Sequence, residues 1–491
     1  MTPPPPPATT AGPAPLAPAL PAPAGAAGGS APQAARPLRA PVVREWWGYA
    51  VLTAVWASVV VVVALWLGHG GAQDLGAGTG AAVTSLGRLT GLVAADLLLL
   101  QVIGMARVPV IERALGQDRL TRTHRLLGFW SVSLLGGHLA AISLGYALLD
   151  GAGVLGELWS LVTTTPWILV ATAGTALFVL VGVTSVRWAR RRLRYESWHL
   201  LHLYAYLGAG LALPHQLWTG RDFLVSPWAS AYWWTLWAAA AVAVLIWRVA
   251  LPLRTTWRQD LRVSRVVVES PGVVSIVVTG PRLAELEVAA GQFFVFRFLT
   301  GTGHPYSLSA APTTAGLRVT IGTTGDDGGR LARMRPGTRV WIEGPMGRLR
   351  PEVRTRPGLV LMGSGLGVAP LVALAQQAAA SGSAAREPAT LVRRIRSAED
   401  NPLQADLDEL VRAGTLRVVD LVGPRSPGGT PWLPTQYGHV PGPSAVRRLV
   451  PALDSSDVFV CGAAPWAEAV AADLRTAGLD PTALHVEAFT W

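Results

Sequence analysis

The chain has 491 residues, 51% of them hydrophobic and 14% charged, with a formal net charge of +11. That is too apolar for an ordinary soluble protein and too long for one domain. No lysine occurs, and the 41 arginines gather beside apolar runs as inner-face loops do, so membrane lipid rather than nucleic acid is the expected partner.

Residues 1–40 are rich in Pro, Ala and Gly and read as a disordered tail without the charged start and compact apolar core of a signal peptide. Six apolar segments follow, at 46–68, 83–104, 124–149, 165–187, 197–217 and 230–251. Each is long enough to cross about 30 Å of hydrocarbon. Arginine-rich loops (105–125, 187–196) alternate with arginine-poor ones (69–82, 150–164), which places the N-terminus and everything after 252 in the cytoplasm. His69 falls in an outer loop and is expected in solvent.

The third and fifth segments each carry a pair of histidines, His124 with His138 and His202 with His215. Steps of 14 and 13 residues cover about 20 Å of helix. Both segments run outward, so His124 pairs with His202 near the inner face and His138 with His215 nearer the outer. Neutral imidazole is a common axial ligand of haem iron, and two per iron leave no open position, which suits electron transfer. A 14-residue step keeps one helical face. A 13-residue step does not, unless the kink of Pro214 alters the rotation. His199, three residues before His202, is an alternative ligand. Arg88, inside the second segment, calls for an anionic partner, a haem propionate being the candidate and a snorkelling interfacial arginine the plainer reading. Arg122 and Arg125 are propionate partners or simply topology charges.

From 261 the pattern turns to short β-rich runs separated by Gly and Pro, as in a small antiparallel β-barrel. HPYSLS (304–309) can set Tyr306 against a flavin ring with Ser307 at its polar edge and His304 near a phosphate, a strand ending in a β-turn being the plainer reading of the same residues. Pro305 and the Gly328–Gly329 pair are assigned to the same cofactor. From 357 strands alternate with helices, a doubly wound α/β pattern. GSGLGVAP opens a helix after a strand, with Gly363, Gly365 and Gly367 letting backbone approach a pyrophosphate, and Pro370 closing the motif. Arg393, Arg394 and Arg396 follow the next strand and suit a 2′-phosphate, favouring NADPH over NADH. VFVCGAAP repeats the strand-to-turn logic with Gly462 and Pro465 and brings Cys461 near a nicotinamide, a buried core cysteine being the alternative. As the only cysteine, Cys461 excludes a disulfide framework and an iron–sulfur cluster. In the ending HVEAFTW, Phe489 or Trp491 can cover a flavin ring, with Glu487 as a nearby hydrogen-bonding group.

Together these motifs resemble the ferric reductase/NADPH oxidase superfamily over residues 83–491. The resemblance implies a multidomain protein: a tail (1–40), a six-helix transmembrane bundle holding two haems (41–255), an antiparallel β-barrel flavin domain (256–352) and a doubly wound α/β nucleotide-binding domain (353–491). The family's haem-ligand pattern falls on His124, His138, His202 and His215, including both spacings, and Arg88 matches an arginine near the outer haem. HPYSLSAAP is similar to the flavin motif, while GSGLGVAP, VCGAAP and the E-x-F ending are similar to the nicotinamide and flavin-covering motifs. The implied cofactors are FAD, two b-type haems and NADPH, with NADH as the alternative donor. Electrons would reach an outer acceptor such as a ferric chelate, dioxygen or a quinone. The rivals are an electron-donating subunit for a partner protein and a proton-coupled transporter with a histidine relay.

Overall fold

The computed structural model describes residues 46–193, 195–298, 303–323, 328–382, 387–397, 399, 401–426 and 428–489, without the side chains of 118, 195 and 196. The expected tail and Trp491 lie outside these residues.

The first half is helical: α1 (Trp46–Gly68), α2 (Gly71–Leu75), α3 (Thr79–Met105), α4 (Pro109–Leu115), α5 (Gln117–Asp150), α6 (Val154–Thr164), α7 (Ile168–Ser185), α8 (Arg187–Arg190), α9 (Tyr195–Thr219), α10 (Arg221–Leu224) and α11 (Pro227–Ala243). A π-helical turn, Val244–Ala250, joins α11 to α12 (Leu251–Gln259). The breaks follow local chemistry. Pro109 and Pro227 sit in the first turns of α4 and α11, where the missing N–H costs nothing. Gly116 at φ 80° separates α4 from α5, and Gly151 at φ 64° closes α5 in the left-handed conformation.

Among the described residues five helices are long and apolar enough to cross a membrane: Trp46–Gly68, Thr79–Met105, Arg119–Asp150, Ile168–Ser185 and Pro227–Gln259. The expected six-span count is therefore not reached on these grounds. The segment left out is α9, a 25-residue helix whose hydropathy is lowered by His199, His202, His215 and Gln216. The loop expected at 150–164 contains α6.

Helix α3 packs along α5, and α7 along α9. The second contact is a close backbone approach: a Cβ on Gly174 would stand 2.7 Å from the Gly208 carbonyl oxygen. Small residues serve helix pairs in lipid this way, because apolar burial gives no drive there. Large apolar side chains such as Trp56, Leu169 and Trp228 are exposed on the outer faces, the surface that lipid would cover.

The second half begins with β1 (Arg262–Ser270), β2 (Val273–Thr279), β3 (Phe293–Phe298), β4 (His304–Ser307), β5 (Leu317–Gly322), the short α13 (Gly328–Leu331) and β6 (Val340–Met346). These strands form two antiparallel three-stranded sheets, β1-β2-β5 and β4-β3-β6, around one core that includes Ile276, Phe294, Phe296 and Ile342. Single bridges, Arg262 to Arg339 and Leu308 to Val319, link the sheet edges.

Next come β7 (Gly358–Ser364), α14 (Val368–Ala380), β8 (Ala389–Ile395), α15 (Gln404–Arg412), β9 (Leu416–Val422), α16 (Gly442–Leu449), β10 (Ser456–Ala463), α17 (Ala464–Thr476) and β11 (Leu484–Phe489). The five strands are parallel in the order β11-β10-β7-β8-β9, with an apolar core on each face. The order reverses between β7 and β10. That reversal is the switch point where open parallel sheets bind ligands at their carboxyl ends.

Candidate functional site

The four histidines of α5 and α9 meet in two facing pairs. The His124 and His202 ring centroids are 5.8 Å apart, and those of His138 and His215 are 6.4 Å apart. With metal–nitrogen bonds of about 2.0–2.1 Å and ~1.1 Å from nitrogen to ring centre, two imidazoles on one iron have centroids about 6.3 Å apart. The outer pair matches that span, and the inner pair falls ~0.5 Å short of it. Close backbone packing joins α3 to α5 and α7 to α9, and the imidazoles of each pair face each other between α5 and α9. Pro214 lies inside α9, and His215 meets His138 despite the 13-residue step.

The outer rings are oriented through their second nitrogens. His138 Nδ1 lies 2.8 Å from the Gly87 carbonyl oxygen on α3, an acceptor, so Nδ1 carries the proton and Nε2 is left as a ligand atom. His215 Nδ1 lies 2.7 Å from Thr219 Oγ1, whose own hydrogen goes to the His215 carbonyl oxygen at 2.6 Å. The hydroxyl must therefore accept, and His215 too presents Nε2. This is how metal-binding histidines are commonly fixed. Gly91 makes room: a Cβ there would stand 2.5 Å from His138 Nδ1. At the inner pair, His202 Nδ1 is 3.4 Å from Ser185 Oγ, and Trp198 stacks on the His202 ring at 5.1 Å. Among the described residues, buried His124 Nδ1 has no hydrogen-bond partner. His199, the alternative ligand, belongs to neither facing pair.

Arg88 is met within the chain. Its guanidinium lies 2.6 Å and 3.2 Å from the two Asp222 oxygens and 2.9 Å from Asp74, and Arg221 also reaches Asp74. Two carboxylates thus stand where a propionate was expected. His69 is corrected with it: its side chain is 15% exposed and lies 3.3 Å from Asp222 of α10, which the fold brings back toward the end of α1. Arg122 and Arg125 are exposed. A second polar group, not anticipated, joins α1, α3 and α11. Ser58 Oγ lies 2.6 Å from Asp96 Oδ1 and 2.7 Å from the Tyr232 hydroxyl, and Asp96 is fully buried. An acidic residue in an apolar run was its signal.

In the antiparallel sheets, His304, Pro305, Tyr306 and Ser307 form β4, paired with β3, and Ser307 is buried. The Tyr306 ring packs toward Phe296 and Phe298. Gly328 opens α13, and a Cβ on it would stand 2.2 Å from the Thr323 carbonyl oxygen; Gly329 beside it is exposed.

In the parallel sheet, the turns after β7 and β10 flank the switch point and bring Gly363, Gly365, Gly367, Gly462 and Pro465 together. Gly365 has φ 55°, a left-handed turn. A Cβ on Gly367 would stand 2.2 Å from the Cys461 carbonyl oxygen, so this glycine lets two backbones approach. Pro370 is buried in the first turn of α14. The Cys461 side chain is fully buried in the apolar cluster under α14, the plainer of its two readings. Phe489 packs on that cluster, and Glu487 pairs in register with Cys461 from β11. A Cβ on Gly347 would lie 3.1 Å from Glu487 Oε2.

The three arginines expected after this strand separate: Arg393 and Arg394 lie at the end of β8 itself, and Arg396 follows it. Arg393 is buried and bound to Asp420 at 2.7 and 2.8 Å, which removes it from the phosphate set. Arg396 is exposed beside the half-buried Arg394. Burial, and then the Arg396 charge, lower the Arg394 guanidinium from its usual value. Two adjacent cations in such a place favour an anion.

Where membrane helices meet sheets, Glu343 of β6 is 2.9 Å from Arg248 of the π-helical turn and 3.0 Å from Arg107 before α4. Nearby Glu112 is buried, which raises its carboxyl above the usual range, with Arg107 opposing and Glu343 adding to the rise.

The family described as ferric reductase-like transmembrane component matches residues 90–213. The protein-methionine-sulfoxide reductase heme-binding subunit MsrQ of Klebsiella pneumoniae is 31% identical over 216 residues, 43% of this chain and 98% of the relative. The ferredoxin reductase component of 3-ketosteroid-9-alpha-monooxygenase from Mycolicibacterium smegmatis is 28% identical over 243 residues, 47% of this chain. This chain spans 65% of that relative's length. Among solved structures, the flavohem-like FAD/NAD binding domain of nitric oxide dioxygenase from Vibrio cholerae aligns at 21% identity and a TM-score of 0.39, covering 47% of this chain and 99% of that one.

Proposed function

The chain belongs to the ferric reductase-like transmembrane family, and on that premise we propose that this multi-pass membrane oxidoreductase carries electrons from cytoplasmic NADPH to an acceptor on the outer side, using FAD and two b-type haems. The observation that carries the reading is the pair of facing imidazole pairs on one pair of helices, with His124 and His202 about 20 Å along from His138 and His215. Flavin and haem iron, when bound, supply the conversion between a two-electron hydride and single electrons, which no side chain provides.

The chain's own residues bind and orient. Gly87 and Thr219 hold the outer imidazoles with Nε2 presented. We read α9 as the sixth span, its histidines turned inward toward α5, and the basic loops 105–125 and 187–196 as the cytoplasmic face. Tyr306, Ser307 and His304 on β4, with Gly328 and Gly329, form the flavin side, the edge-linked sheets acting as a barrel. Gly365 and Gly367 open the pyrophosphate site at the switch point, and Arg394 with Arg396 receives the 2′-phosphate. Glu487, which Gly347 after β6 approaches, and Phe489 at the end of the last strand are assigned to the join of the two sites, Phe489 being the described candidate for covering the ring.

Anaerobic NADPH added to the purified, FAD-loaded protein should bring up reduced b-type haem bands. NADPH consumption with no haem band would overturn the reading. The Klebsiella relative is a heme-binding subunit, and this supports a second reading, in which the acceptor is a partner protein. Turnover of the isolated chain with a ferric chelate, dioxygen or a soluble quinone separates the two, since a strict subunit reduces none of them quickly.

A further inference from the structure

We propose that Glu343 is the positioning residue that docks the flavin-side sheets on the inner ends of the membrane helices, and so sets electron transfer from flavin to the His124–His202 pair. The inference rests on the function proposed above.

Glu343 is 8% exposed, so its carboxylate depends on partners for solvation. Three arginines from three places supply it: Arg107 from the α3–α4 connection at 3.0 Å, Arg248 from the π-helical turn at 2.9 Å, and Arg297 from β3 at 3.8 Å. Only Arg297 shares its sheet. The other two come from the membrane helices, so a single carboxylate ties both to the sheet.

The contacts around it run along one strip of chain. Thr256 Oγ1 on α12 accepts from the Ile342 amide at 3.4 Å. Arg107 also touches Met346 Sδ. Arg348 reaches the Leu115 carbonyl oxygen at 3.5 Å. Residues 342–348 thus meet the membrane half at both the α3–α5 connection and the α11–α12 helix. The π-helical turn places Arg248 at this junction, and such turns are frequent at functional sites.

The strip also faces the proposed electron path. Glu343 pairs in register with Val295, and Val295 pairs on its other side with Pro305. Glu343 is therefore two strand spacings, about 10 Å, from the flavin strand. On the membrane side, His199 lies within electrostatic reach of Glu343, Arg248 and Arg297, one helical turn before His202. At the other end of the strip, Gly347 abuts Glu487. Without the carboxylate, the arginines that it gathers repel one another and the sheet loses its tie to both helices.

The test is anaerobic stopped-flow with the full-length, cofactor-loaded protein and NADPH, following flavin bleaching and haem reduction separately. Glu343→Gln is expected to leave flavin bleaching at the wild-type rate and to slow haem reduction about ten- to a hundredfold, the scale at which an ångström of misplacement acts. Arg248→Gln should do the same. Glu343→Asp, which keeps a carboxylate among the three arginines, should recover part of the rate lost in Glu343→Gln. Unchanged haem reduction in Glu343→Gln, or haem reduction slowed only in step with flavin bleaching, would overturn the proposal. If the wild type shows no haem bands, the proposed function fails but the dock is still testable. Thermal unfolding of Glu343→Gln, Arg248→Gln and the double variant should then be non-additive, and additive losses would refute the dock.

Discussion

Replacing Thr219 by valine removes one oxygen and almost no volume. The hydroxyl accepts from His215 Nδ1 at 2.7 Å and is itself fixed by donating to the His215 carbonyl oxygen at 2.6 Å. Valine leaves the Nδ1 proton without its acceptor and the ring free to turn. Loss of such an outer partner costs about 10–100-fold in metal affinity, or ~1.4–2.7 kcal/mol. It also makes the imidazole less basic, so the ferric form is held less tightly and the midpoint potential rises. The assay is haem transfer to an excess of a haem-scavenging apoprotein, paired with a spectroelectrochemical titration. One haem should leave about 10–100-fold faster with a raised potential, and the other should behave as in the wild type. Thr175→Val is the control, since Thr175 Oγ1 only donates to the Ala171 carbonyl oxygen on α7. Wild-type loss rates and potentials for both haems in Thr219→Val would refute the orienting role.

Gly91→Ala places a methyl 2.5 Å from His138 Nδ1, so the ring must move off the Gly87 carbonyl; purified protein should retain about half the wild-type haem, whereas Gly156→Ala, with open space around it, should retain all of it. Arg394→Ala combined with Arg396→Ala should raise the KM for NADPH about 10–100-fold and leave that for NADH nearly unchanged; equal effects on both donors would remove the 2′-phosphate site. Burial raises the Glu112 carboxyl in the folded state, so the stability tied to this group is complete at low pH and is lost as pH rises through the raised folded value. Glu112→Gln should therefore melt higher than the wild type at about pH 8, with the difference closing below about pH 4. A difference that does not change with pH would show that ionisation of Glu112 is not the cause.

The parts legible in the sequence were those carried by local pattern. Apolar length located α1, α3, α5, α7 and α11, and the change to period-two runs located the antiparallel strands. Strand-glycine-helix order located the turns after β7 and β10. The helical steps between histidines, read with loop charge, pair His124 with His202 and His138 with His215, as the ring distances do. What stayed hidden depends on chain segments far apart in sequence. From sequence Arg88 takes a propionate as its anion, because Asp222 lies 134 residues away and Asp74, 14 residues before it, faces it only once α2 packs on α3. Arg393 looked like its neighbours until β9 supplied Asp420. Glu343 gave no local signal, since two of its arginines precede it by 95 residues or more. Thr219 was within reach: a hydroxyl four residues after a histidine lies on the same helical face.

The most direct measurement is the haem content of the purified full-length protein, by pyridine haemochrome against protein concentration. Two b-type haems per chain are expected, falling to one in His138→Ala with flavin reduction by NADPH retained. A wild-type protein without haem, or a His138→Ala variant with undiminished haem, would contradict the paired-histidine sites on which the proposed electron path depends.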